Sequence, residues 1–136
     1  MSEKAQTAKL EFNGNFLELR FYDLNAEEYN PGGCRFDIRV VSGDFSGAVH
    51  ELDGYHDQIV SLIAQLKDIT EFKSKEAHFA DIDGTAEVDF IGDGIGHIKV
   101  SGELRGSRQT LNFEFETDRT VYPKFIDELF QVGDKS

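Results

Sequence analysis

The stretch "TAEVDFIGDGIGHIKVSGELRGSRQTLNFEFE" leaves this chain the fewest choices. Ala86, Val88 and Phe90, then Ile98, Val100 and Leu104, then Leu111, Phe113 and Phe115 keep strand phase in three consecutive runs. Alternate residues of a strand point to opposite faces, so each run has one apolar and one polar side. Only the 92–96 glycines and "RGSR" separate the runs. Such links permit antiparallel neighbours and exclude helical crossovers. "EAHFADI", set off by Asp83-Gly84, supplies a fourth strand. Gly92, Gly94 and Gly96 invite a second reading as a phosphate cradle. That reading requires a helix after the glycines, whose first amides meet the anion. Here the strand "HIKVSGEL" follows, and G-x-G-x-G is not G-x-G-x-x-G. These glycines turn a chain.

The first half reads similarly. Asn13-Gly14 lies between Leu10/Phe12 and Leu17, Leu19, Phe21, a strong hairpin signal. "NAEEYNPGG" is a polar loop broken by Pro31, Gly32 and Gly33. "CRFDIRVV" turns Phe36, Ile38 and Val40 inward, and "DFSGAVHEL" returns as a weaker strand. In "DGYHDQIVSLIAQLKDI" the period changes: Tyr55, Ile59, Leu62, Ile63, Leu66 and Ile69 share a helical face over 53–69, with Asp53 as the natural N-cap. A short C-terminal helix carries Val121, Phe125, Ile126, Leu129 and Phe130. The class expected is α+β. Antiparallel sheet of about seven to eight strands, bent or in two regions, packs on the mid-chain amphipathic helix, and the last helix closes an edge. Ile59, Ile63 and Leu66 are expected to be buried against Phe113 and Phe115. The 136 residues fit a single domain, 1–136, with an ordered core of about 8–132.

Reactive chemistry is hard to find. "DIDGTAEVD" resembles a calcium loop faintly, but Gly84 comes too early and the flanks read as strands. His50, His56, His78 and His97 show no short metal-ligand spacing, and His50 and His97 fall on solvated strand faces. Cys34 stands at a strand entrance, where no helix terminus lowers a thiol pKa, and reads as a buried small residue. Neither catalytic residue, metal nor cofactor is expected. No apolar run approaches the ~18 residues of a membrane span, and "MSEKAQTAKLEF" has no secretory apolar segment. The single cysteine fits a reducing compartment, so the protein is expected in the cytoplasm.

Charge is the informative property. Twenty-six acids against fourteen bases leave −12. Residues 76–118 hold ten acids against Lys99, Arg105 and Arg108, a net of −7 within the strand meander. Such a surface repels nucleic acid and anionic lipid and attracts a basic protein. Excess acid also keeps proteins soluble. Glu87, Asp89, Glu103, Glu114 and Glu116 take the phase opposite the buried Val88, Phe90, Leu104, Phe113 and Phe115. They should share a solvent face, with Lys99 the one base in their alternation.

The order of segments is also distinctive. "LEFNGNFLELRFYD", "CRFDIRVVSGDFSG", a mid-chain amphipathic helix, a four-strand run and "FEFETDRTVYPKFIDEL" resemble the small WapI-like immunity proteins of bacterial polymorphic and contact-dependent toxin systems. The resemblance spans roughly residues 8–131. It is carried best by the "FLEL" hairpin and by "TDRTVYPKFIDEL", where a strand passes through Asp118-Arg119-Thr120 into the last helix. It implies an intracellular, non-catalytic protein that binds a cognate toxin domain and blocks it. Toxins of such systems are often nucleases, whose substrate surfaces are basic. The alternative is a non-catalytic interaction or scaffold module, including a homo-oligomer joined through an open sheet edge. Oligomeric state is not legible in the sequence.

Overall fold

The computed structural model describes residues 6–22 and 33–134, and most of the polar loop "NAEEYNPGG" lies outside them. Two four-stranded antiparallel meanders form, β1 (Gln6–Phe12), β2 (Asn15–Tyr22), β3 (Gly33–Ser42) and β4 (Phe45–Tyr55), then β5 (Glu76–Ala80), β6 (Ala86–Gly92), β7 (His97–Arg105) and β8 (Thr110–Asp118). Helix α1 (His56–Thr70) joins the sheets, and α2 (Tyr122–Asp134) ends the chain after a 3-10 turn at Arg119–Val121. The α+β expectation of about seven to eight antiparallel strands holds, and of a bent sheet or two regions the chain forms two separate four-stranded sheets.

Short-range chemistry sets the turns. Asn13 and Gly14 both take positive φ, 52° and 81°, as a tight hairpin needs, and Leu10 pairs with Leu17 across it. The inward residues of both sheets and both helices share one core, dominated by Phe21, Phe36, Phe90, Phe125 and Tyr122. A Cβ added at Gly102 would run into the Glu87 carbonyl and the Phe113 ring, so β7 has room for no side chain there.

Two sheet edges are closed by side chains. The β1 edge donates the Lys9 N–H to Glu128 Oε1 of α2 at 2.9 Å, so the C-terminal helix does close an edge. On β5 the His78 N–H donates to Gln65 Oε1 at 2.9 Å, and Gln58 Nε2 donates to the Ala80 carbonyl at 2.8 Å, both from α1. Unpaired strand edges invite association, and these contacts remove that liability from β1 and β5.

Three local expectations need correction. The first helix starts at His56, because Asp53 stays in β4 opposite Arg35, 3.7 Å from its guanidinium. Tyr55 occupies the cap position, where Gln58 Oε1 accepts its N–H at 2.7 Å, and Tyr55 is exposed. Ile59, Leu62, Leu66 and Ile69 are buried while Ile63 is half-buried, and α1 packs chiefly on α2 and β5. Phe113 and Phe115 instead stack on each other at 6.4 Å. In α2 the buried stripe is Tyr122, Phe125, Ile126, Leu129 and Val132, leaving Phe130 57% exposed. Tyr122 anchors that stripe, its hydroxyl 2.8 Å from Thr117 Oγ1, which itself donates to the Ile98 carbonyl at 2.6 Å. No helix among the described residues is long and apolar enough to cross a membrane.

Candidate functional site

Register turns the alternation of β5–β8 into a grid. Its outward rows read Ala80–Glu87–Glu103–Asn112, then His78–Asp89–Ser101–Glu114, then Glu76–Ile91–Lys99–Glu116. His97 and Asp118 are paired at one end, Arg105 and Thr110 at the other. All five acids singled out in the sequence, Glu87, Asp89, Glu103, Glu114 and Glu116, therefore share this face. With Glu76 and Asp118 they make seven carboxylates against Lys99 and Arg105, so 7 − 2 leaves −5 with histidines neutral.

Lys99 is not the only base. Strand β7 continues to Arg105, which keeps the same phase. Glu87 and Glu103 stand directly opposite, and Arg105 serves both, at 3.7 and 2.9 Å. Asp89 lies 2.7 Å from His78 Nδ1, and Glu114 lies 3.7 Å from Lys99 Nζ. Like charges set opposite each other repel, and these contacts offset part of that cost. Among the described residues Glu116 alone of the five has no ion-pair partner.

The outward face of β1–β4 is built differently. Its rows alternate in sign: Lys9 opposite Glu18 opposite Arg39, Arg20 opposite Asp37, Arg35 opposite Asp53. Two sheets of the same topology thus carry a neutralised face and an acidic face. The acidity is local, which a general need for solubility does not require.

The other candidates resolve into structure. Asp93, Gly94, Ile95 and Gly96 form the β6–β7 turn, with Gly94 and Gly96 at φ 87° and 119°. The Asp93 carboxylate accepts the N–H groups of Ile95 and His97 at 2.8 and 3.1 Å and meets His97 Nδ1 at 2.9 Å. The Ile95 N–H above all, then His97, holds the Asp93 carboxyl below its ordinary pKa. In the "DIDGTAEVD" segment, Asp81 Oδ1 accepts the Ala86 N–H at 3.0 Å, which closes the β5–β6 turn. No three metal-type side chains converge among the described residues. Cys34 is buried, and burial, with Asp53 adding, pushes its thiol up to about 11.

His50, on an exposed strand position as expected, belongs to a constellation the sequence did not disclose. At a bulge of β3 and β4, Asp37 accepts the Glu51 N–H at 2.9 Å and the Tyr22 hydroxyl at 3.0 Å, with His50 Nδ1 at 3.3 Å. Glu51 takes φ 57° there, so the carboxylate pins a strained backbone. Partial burial by itself raises the Asp37 pKa, but the bonds from Glu51, His50 and Tyr22 outweigh it and hold the value down. A depressed carboxylate stabilises the fold above its unfolded pKa, and that contribution disappears as pH falls through the folded value. Asp37→Asn is expected to cost about 1–3 kcal/mol at neutral pH. The gap from the parent should shrink below about pH 4 in urea titrations; a gap constant down to acid pH would remove Asp37 from this role.

Comparison with known proteins agrees with the architecture. Solved chains similar in fold include one from the crystal structures of Trypanosoma brucei MRP1/MRP2, at TM-score 0.53 and 11% identity, covering 94% of this chain and 82% of that one. A second comes from a guide-RNA-binding protein complex bound to a gRNA, at TM-score 0.54 and 12% identity, covering 93% and 87%. Likeness at such identity speaks for fold alone. No curated protein matches the chain significantly. The model of the immunity protein WapI-like family matches residues 9–135, nearly the whole chain. With the eight-stranded α+β fold and the strand-to-helix passage at 118–122 in place, the chain belongs to the immunity protein WapI-like family.

Proposed function

We propose that this protein neutralises a cognate toxin domain by binding it directly, without catalysis of its own, in the cytoplasm where such a toxin acts. The contact surface is the outward face of β5–β8, with Glu87, Asp89, Glu103, Glu114 and Glu116 turned toward a basic partner. One observation carries this reading within the family: the −5 confined to that face, while the equivalent face of β1–β4 pairs its charges. A basic surface, such as the substrate groove of a nuclease, approaches an acidic sheet faster than a neutral one. The RNA binding of a fold neighbour finds no support in these residues, since seven carboxylates repel a phosphate backbone. Co-expression with a cognate toxin domain tests the proposal. Cells producing both should grow, and the two proteins should co-purify as a complex. Growth arrest at equal expression, with no complex on gel filtration, would refute it.

A further inference from the structure

The acidic face ends in an apolar prominence that charge alone does not explain. Ile95, at the tip of the β6–β7 turn, is 79% exposed, and Ile91, in the outward row with Lys99 and Glu116, is 39% exposed. A shallow groove lined by Ile91, Asp93, His97, Lys99 and Glu116 connects the acidic rows with the base of that turn. We propose that Ile95 and Ile91 anchor the toxin contact, entering an apolar recess bordered by basic side chains on the toxin. This deepens the immunity reading and rests on it.

Three features support the assignment. The tip is already ordered, because Asp93 accepts two of its N–H groups and Arg119 donates its N–H to the Gly96 carbonyl at 2.8 Å. A preformed loop loses little conformational freedom on binding, so more of the contact energy survives as affinity. The groove is also edged by Glu116, the one acid of the five without an ion-pair partner among the described residues. An arriving arginine or lysine finds that carboxylate available without displacing an existing base, and its aliphatic stem can lie on Ile91. The other exposed large apolar side chains among the described residues, Phe45 and Tyr55 at the two ends of β4, Val60 and Phe130 on the helices, Phe72 after α1 and Ile82 after β5, stand outside the acidic rows. An apolar centre with a charged surround is the usual anatomy of an interface that holds tightly.

The test compares Ile95→Ser with Ile91→Thr, alone and together, against Phe45→Ser, all at exposed positions. The probe is the cognate toxin domain that this protein protects against on co-expression, with association and dissociation followed separately. The double variant should dissociate at least about 30-fold faster, with association and its salt dependence little changed. Phe45→Ser should match the parent. Dissociation unchanged in the double variant, or accelerated equally by Phe45→Ser, overturns the anchor and leaves the immunity role standing. A parent protein that fails to bind the toxin domain overturns both.

Discussion

Leu66→Ala should lower the unfolding free energy by about 2–5 kcal/mol, a large share of the roughly 5–15 kcal/mol that holds a domain together. Leu66 is fully buried on α1, in the stripe with Ile59, Leu62 and Ile69, where the helix is held between α2 and β5. Truncation removes methyl contacts on both sides at once. Neighbours fixed by two helices and a strand relax little into the space, and incomplete collapse is what drives the cost toward the upper end. Val60, 50% exposed on the same helix, is the internal control. Val60→Ala loses little burial and gains helix propensity, so it should stay within about 0.5 kcal/mol of the parent. Urea denaturation with an unchanged m-value separates the two variants. Coincident midpoints for Leu66→Ala and the parent would mean that α1 turns a different face to the core.

The sequence displayed what local rules control. Strand phase in Val88–Phe90 and Phe113–Phe115 was readable because one sheet face is buried, so register slips would expose the whole apolar set. Asn13-Gly14 was readable because few residues tolerate the positive φ found there. The start of α1 is not legible, for the opposite reason. Asp53 is a fine capping residue by type, but strand pairing with Arg35, eighteen residues earlier, claims it first. Spacing alone predicts Phe130 inward, as suits a helix whose stripe begins at Val121. The 3-10 turn at Arg119–Val121 moves the stripe to Tyr122, and Val132 takes the inward place. At the candidate site, phase alone put five acids on one face. Knowing that Glu87 faces Glu103, that Arg105 serves both and that His78 meets Asp89 requires the register between strands. The prominence of Ile95 depends likewise on how Asp93 folds its turn back on itself.

Replacing Glu87, Asp89, Glu114 and Glu116 by lysine should slow association with the toxin domain by about 10–10³-fold at low salt. The substitutions change the net charge from −12 to −4, since each of four sites shifts by two, and they reverse the sign of the face. Each ion pair lost, Lys99 with Glu114, His78 with Asp89 and Arg105 with Glu87, lies at a substantially exposed position. Exposed pairs contribute about 0–1 kcal/mol, so the fold should survive, which a melting curve establishes before any binding is measured. Rate against ionic strength is the decisive measurement. Steering acts over about a Debye length, roughly 8 Å at physiological salt, so the parent should lose its advantage as salt rises while the variant changes little or accelerates. Net charge by itself makes a competing prediction: any equal change elsewhere should slow the encounter as much. Glu11→Lys with Glu18→Lys on β1 and β2 shifts the charge by four on the neutralised sheet, and the pair Glu87→Lys with Glu116→Lys matches it on the acidic one. If the surface is the one proposed, only the second pair slows association strongly. Equal effects from both pairs would move the contact off β5–β8 while leaving the immunity role intact.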